Sequence, residues 1–261
     1  METRAAPATF LWGLKRSGIH LIVNWLYANL GGQEKARLDT DGLHPQLFDG
    51  FADPAARVAF FNNCGRFHSR QLELGDLHWQ DFERATHGNA ATIFGLEDCA
   101  LGFASRTAGV ADSVHVLVLR DPLNNLASRL RAAETRPALF RVDHAFIDLF
   151  ESYCVEYLGG THHLSPKTVV SYNRFVSERD YRDAVAAELG MTNVDAVSEV
   201  STYGGGSSFS EGAPSSAAAL MDRFREHPIP RPILEMLLER PAVREVCSTV
   251  FGYDLGERAG A

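Results

Sequence analysis

Apolar residues in this chain gather into short continuous runs, each ending abruptly at a polar turn and followed by a stretch with helical spacing. The first run, Thr9 to Trp12, leads into Gly13-Leu14-Lys15-Arg16-Ser17-Gly18 and then an almost wholly apolar segment from Ile19 to Leu30 that stops at Gly31-Gly32. This predicts a buried strand, a tight basic turn and a buried helix closed by the glycine pair. Residues 33–56 are polar and broken by Gly42, Pro45, Gly50 and Pro54, so a loop with at most one short element is expected there. Arg57 to Asn62 reads as a strand, Leu72 to Thr86 as a surface helix or loop, and Ala90 to Leu96 as a second buried strand running into Glu97-Asp98. Val114 to Leu119 (VHVLVL) is a β-branched and leucine run of the kind parallel sheets bury on both faces.

That run stops at Arg120-Asp121-Pro122. Asp121 predicts an N-cap and Pro122 the first turn of a helix through Ala133. Phe146, Ile147, Phe150, Tyr153, Cys154 and Tyr157 set a helix over Asp143 to Leu158. Thr168 to Ser171 is a short strand, followed by Tyr172 and a helix from about Arg179 to Leu189. Residues 201–216 are rich in Gly and Ser and carry no periodicity, and two helices separated at Pro241 close the chain between Pro230 and Phe251. Strands alternating with helices predict an α/β fold, a three-layer sandwich around a central, mostly parallel sheet, in one domain over residues 1–261. Right-handed crossovers put the strand-to-helix turns on one sheet edge, where open α/β sheets bind ligands. Three turns with chemistry meet there: Lys15–Gly18, Glu97–Asp98 and Arg120–Pro122.

Composition narrows the partners. A formal charge of −8 argues against a general nucleic-acid binder, although Arg120 to Arg141 holds five arginines against Asp121 and Glu134. Cys64, Cys99, Cys154 and Cys247 are scattered and expected to be free thiols. Cys64-x3-His68 is half of a metal motif with no second half, so no metal is expected. The longest apolar segment is too short to span a bilayer and Met1 to Thr9 has no signal-peptide core, which predicts a cytoplasmic protein without membrane contact.

The first turn is an anion seat, because a helix N-terminus offers N–H groups and positive potential and Lys15 and Arg16 add charge. The bland alternative is a β-α connection with a basic surface turn. It is not a Walker A loop: Gly13 and Gly18 have the spacing, but Ile19-His20 follow where that motif carries Lys and a metal-holding hydroxyl. Arg120 with Ser128 eight residues on supplies a second anion site, a guanidinium fork plus a hydroxyl.

Together, Lys/Arg-Ser-Gly after the first strand and Arg with Ser eight residues later resemble the PAPS-dependent sulfotransferase family, PAPS being 3′-phosphoadenosine-5′-phosphosulfate. The resemblance implies a fold related to P-loop nucleotide hydrolases and PAPS as the sulfuryl donor. It places Lys15, Arg16, Ser17, Gly18, Ile19 and His20 at the 5′-phosphosulfate, Arg120 and Ser128 at the 3′-phosphate, Tyr172 near the adenine, and Ser208 in a segment folded over the cofactor. The acceptor it implies is a hydroxyl or amine of a small molecule or glycan. Glu97 is the first choice for the base, with Asp98 second and His20 an alternative, while Arg16 or Lys15 stabilises charge on the leaving group. The chain departs from the family at Asn173-Arg174, where Glu-Asp often follows the tyrosine, and it lacks the Arg-Lys-Gly triplet of cytosolic animal members, for which Arg223 and Arg225 are candidate replacements. The rival readings are a kinase-like phosphotransferase using ATP and Mg²⁺, and a nucleotide-binding homologue without catalysis.

Overall fold

The computed structural model describes residues 8–44, 47, 49–62, 77–195 and 222–260. Seven strands form one sheet: β1 (Ala8–Gly13), β2 (Ala36–Arg37), β3 (Gly50–Asp53), β4 (Val58–Phe61), β5 (Ala91–Glu97), β6 (Val114–Leu119) and β7 (Lys167–Ser171), in the spatial order β2-β3-β4-β5-β1-β6-β7. From β4 to β7 all neighbours pair in parallel; β2 and β3 add an antiparallel edge. The helices are α1 (Ile19–Asn29), α2 (Trp79–Thr86), α3 (Pro122–Thr135), α4 (His144–Tyr157), α5 (Tyr172–Ser177), α6 (Arg179–Glu188), α7 (Arg223–Glu226), α8 (Arg231–Leu238), α9 (Pro241–Thr249) and α10 (Leu255–Ala259), with a 3₁₀ turn at Leu101–Arg106.

Side chains alternate across a strand, so each central strand feeds two cores. Phe10, Trp12, Phe94, Leu96, Leu117 and Leu119 face the side covered by α2, α4 and the closing helices. Leu11, Ile93, Val116, Val118 and Val170 face the side covered by α1, α5 and α6. Both faces are therefore apolar, and the strands read as unbroken hydrophobic runs. The result is an α/β sandwich around a mostly parallel sheet. Ile22, Val23 and Leu26 of α1 are buried against it, each worth about 1.5–3 kcal/mol of transfer free energy.

Residues 33–56 correct the sequence reading. They hold two strands where one short element at most was expected, because β2 is only two exposed residues long and β3 is four, too short for a pattern to emerge. Asp53 is the organiser of this edge: its carboxylate accepts from the backbone N–H groups of Gln33, Glu34, Ala55 and Ala56, and those bonds hold it down to about 2. Tyr172 opens a short helix, α5, ahead of the helix expected from about Arg179.

One polar pair lies inside the larger core. Trp12 Nε1 donates to His115 Nδ1 at 3.0 Å, a bond that needs an unprotonated acceptor nitrogen, and burial pushes His115 down to about 4. The unfolded chain binds that proton from near pH 6.5 downward, so this stability is complete above pH 6.5 and lost as pH falls towards 4. Urea unfolding is expected to show a loss of about 3 kcal/mol over that window. In His115→Gln, whose amide oxygen can still accept from Trp12, this part of the loss disappears.

Candidate active site

β1 lies between β5 and β6, so the strand order reverses at its carboxyl end, where a crevice for ligands opens in sheets of this kind. Gly13 is level with Glu97 on one side and Val118 on the other, which brings the three turns together. The turn after β1 is tight: Ser17 N–H donates to Leu14 O at 2.9 Å, Arg16 has φ 71°, and Gly18 has φ 87° as the N-cap of α1. Only glycine suits Gly18, because a Cβ there would stand 2.0 Å from the Tyr172 ring. Gly18→Ala is expected to destabilise the fold by about 2–4 kcal/mol in urea unfolding, from left-handed strain plus overpacking. Removing the ring as well, in Gly18→Ala/Tyr172→Ala, relieves the clash and leaves the strain, which fixes the first variant's cause.

Carbonyls of the turn are held from α3 and β6. Asn125 Nδ2 donates to Lys15 O at 3.3 Å, and Arg120 Nη1 donates to Arg16 O at 2.9 Å. Arg120 sits immediately after β6 because Asp121 caps α3, accepting from Asn124 N–H at 2.9 Å, with Pro122 as first helical residue. The guanidinium of Arg120 lies 5.2 Å over the Tyr172 ring. Tyr172 is thus buried between Gly18 and Arg120 as part of the floor.

Arg16 Nε donates to Ser128 Oγ at 3.1 Å. The residue expected at one end of a two-ended anion therefore touches a residue expected at the other. Arg223, carried by α7 against α3, belongs to the same group: burial first, then the charges of Arg120 and Arg16, bring it down to about 10. Burial and then Arg120 lower Arg16, and burial lowers Arg120. Arg120 and Arg223 are buried and Arg16 half-buried, and Arg120 opposes the charges of the other two, a donor set suited to an anion. Of the two arginines considered for this role, Arg225 is exposed and pairs with Asp222 at 3.6 Å. Ser17 Oγ is fully buried and makes no hydrogen bond among the described residues, a hydroxyl held beside the turn with bonding capacity to spare.

The carboxylates of β5 complete the edge. Glu97 is buried, its Oε2 3.9 Å from His20 Nε2, and burial raises it against the opposing pull of His20, Lys15 and Arg16. His20 is the half-exposed member of that pair and meets the Phe60 ring edge-on at 6.3 Å. Asp98 is committed elsewhere: it accepts from Lys15 N–H at 2.9 Å, lies 3.6 Å from Lys15 Nζ, and accepts from Arg129 Nη1 at 2.9 and 3.1 Å. Ile19 is buried in the core under α1, its side chain against Gly13. Trp25, on the same helix, is buried and donates to Asn193 Oδ1 at 2.8 Å. Ser208, Cys64 and His68 lie outside the described residues. Arg129 was not singled out by sequence; it adjoins Ser128 within the arginine excess of 120–141, yet nothing there separates it from exposed Arg131.

Among the described residues no group of three or more His, Cys, Asp and Glu side chains is placed to hold a metal ion, and no helix is long and apolar enough to cross a membrane. No protein-family model and no curated protein matches the sequence. Solved structures do. The sulfotransferase domain from the curacin biosynthetic pathway superposes with a TM-score of 0.54 at 12% identity, over 96% of this chain and 99% of that one. The sulfotransferase domain from the Synechococcus PCC 7002 olefin synthase covers 97% of this chain and 98% of its own, at 14% identity and a TM-score of 0.48. The first of these, spanning nearly the whole of both chains, shows that this chain has the sulfotransferase-like fold.

Proposed function

We propose that the protein is a sulfotransferase that moves a sulfuryl group from PAPS to a hydroxyl or amine of a small-molecule or glycan acceptor. The observation that carries this reading is the convergence of Arg16, Arg120, Arg223 and the Ser128 hydroxyl on one sheet edge beside the buried carboxyl group of Glu97. The fit to a two-ended phosphate donor rests on that donor set and on the buried Ser17 hydroxyl. Lys15, Ser17, Gly18 and the backbone of Ile19 and His20 serve the phosphosulfate end; Arg120, Ser128 and Arg223 serve the 3′-phosphate. Arg16 links them, with its backbone in the turn and its guanidinium on Ser128. Tyr172 underlies the site and stiffens it.

When bound, PAPS supplies an activated sulfuryl group. Glu97 takes the proton of the acceptor's O–H or N–H as the new bond to sulfur forms and the bond from sulfur to the bridging phosphate oxygen breaks. Lys15 holds the negative charge left on that phosphate, aided by the backbone of Arg16 in the turn and the N-terminus of α1. Glu97 suits the role because its desolvated site strengthens its hold on a proton, whereas Asp98 is already occupied by Lys15 and Arg129.

Calorimetry against adenosine 3′,5′-bisphosphate and ATP, each with and without Mg²⁺, tests the donor. Metal-independent binding of the bisphosphate alone is the expected result, and a preference for Mg-ATP overturns it in favour of phosphoryl transfer. PAPS turnover against acceptor libraries then identifies the acceptor, and bisphosphate binding with no turnover in any library points to a binding protein without catalysis.

A further inference from the structure

Two carboxylates follow one another at the end of β5, and their surroundings are opposite. Glu97 ends the strand, buried and facing His20. Asp98 turns into the left-handed region, φ 54°, and its carboxylate meets both the backbone N–H and the ammonium group of Lys15. Its remaining partner is Arg129, whose guanidinium is fixed on three sides. Nη1 reaches both oxygens of Asp98, Nε donates to Arg141 O at 2.9 Å, and the guanidinium carbon stands 3.8 Å from the centre of the Phe146 ring. A planar fork can satisfy a carboxylate, a carbonyl and an aromatic face at once; an ammonium group cannot.

The chain of contacts Phe146–Arg129–Asp98–Lys15 therefore runs from α4, through α3 and the end of β5, into the turn after β1. The groups that face Glu97 come from each element around it: His20 from α1, Lys15 and Arg16 from the turn, Asp98 from its own strand end and Tyr153 from α4. Lys15, Arg16 and, when protonated, His20 favour the carboxylate form of Glu97 and Asp98 opposes it.

Resting on the sulfuryl-transfer reading above, we propose that Arg129 is a positioning residue: by holding Asp98 against Lys15 it docks the turn after β1 and leaves Glu97 as the carboxyl group that exchanges the acceptor's proton. Arg129 offsets the charge of Asp98. Without Arg129, Asp98 acts on Glu97 undiminished, so Glu97 keeps its proton to higher pH.

The test is carbon NMR of protein labelled at the glutamate carboxyl carbons, with the Glu97 signal identified by its loss in Glu97→Gln. In Arg129→Gln the Glu97 midpoint is expected to rise by roughly 0.5–1 pH unit, the scale of one charge left unopposed near a protein surface. Arg129→Lys keeps the charge and returns most of that rise. Affinity for adenosine 3′,5′-bisphosphate falls by about 2–10-fold in Arg129→Gln, the cost of one hydrogen bond to the turn after β1, and by less in Arg129→Lys. A lowered unfolding temperature with an unmoved Glu97 midpoint makes Arg129 structural only and overturns the proposal. Asp98→Asn, which suits the left-handed backbone, gives a second measurement should Arg129→Gln fail to fold: the Glu97 midpoint falls, and an unchanged midpoint overturns the proposal equally. Failure of the wild-type protein to bind the bisphosphate instead removes the sulfotransferase reading, a result separate from the variant-to-wild-type comparison of Glu97.

Discussion

Glu97→Gln is expected to lower PAPS-dependent turnover by about 10²–10⁴-fold, the range for loss of a general base, while affinity for adenosine 3′,5′-bisphosphate is unchanged. Gln matches Glu in shape, keeps an acceptor oxygen towards His20, and cannot take a proton. The same substitution carries a stability signature with a definite sign. Burial raises Glu97 in the folded protein, so the folded state binds its proton more tightly than the unfolded chain, and stability declines as pH rises through that window. At neutral pH the ionised form is therefore a cost to folding. Glu97→Gln removes it, and the variant is expected to unfold at an equal or higher temperature than wild type. Loss of activity with no loss of stability separates a functional carboxylate from one retained for packing. The pH profile gives a further check: wild-type kcat/KM is expected to fall on the acid side at a pH above the ordinary carboxylate range. Turnover that survives in Glu97→Gln moves the base to His20, the more exposed member of the pair.

Why these groups could be foreseen, and others not, follows from the range of the forces involved. β1, β5 and β6 are buried on both faces, so each is a continuous apolar run with a sharp polar end, and β6 begins and ends at the residues its hydrophobicity marks. Parallel pairing then aligns the ends, and the meeting of Lys15–Gly18, Glu97–Asp98 and Arg120–Pro122 follows from topology without any knowledge of contacts. Asp121 and Pro122 fix the start of α3 by local capping, which is also legible. The hydrogen bond from Arg16 to Ser128 spans 112 residues and depends on which way a long side chain turns, on a backbone with positive φ that no local rule assigns to arginine. Asp98 likewise adopts φ 54° because Lys15 and Arg129 hold its side chain, a tertiary cause with no trace in its neighbours. Arg129 and Arg131 look alike in sequence; the Phe146 face and the Arg141 carbonyl distinguish them, and both arrive from beyond the end of α3. The β2–β3 edge was hidden for a different reason: its strands are too short to show a period.

Arg120→Ala is expected to weaken adenosine 3′,5′-bisphosphate binding by about 1.5–3 kcal/mol, as for a charged hydrogen bond, measured by calorimetry. Two effects add in this number. Arg120 supplies charge to the phosphate site, and it holds the carbonyl of Arg16, so its removal also loosens the turn that carries the other end of the ligand. The second effect makes Arg16 and Arg120 interdependent. In the cycle of Arg16→Ala, Arg120→Ala and the double variant, the two losses are expected to fall short of additivity by about 1 kcal/mol, the coupling typical of groups in contact. Full additivity means that Arg120 acts by charge alone; affinity within about twofold of wild type in Arg120→Ala removes it from the site. Stability responds differently. Burial opposes the charge of Arg120, while the charge of Asp121 favours it and its hydrogen bond to Arg16 O holds the turn. Arg120→Met, which keeps the stem and discards the charge, is expected to stay within about 1 kcal/mol of wild-type stability in urea, relief of the buried charge offsetting the lost hold on Arg16 O, while losing affinity as Arg120→Ala does. Lost affinity at nearly constant stability is the result that a purely structural Arg120 could not produce.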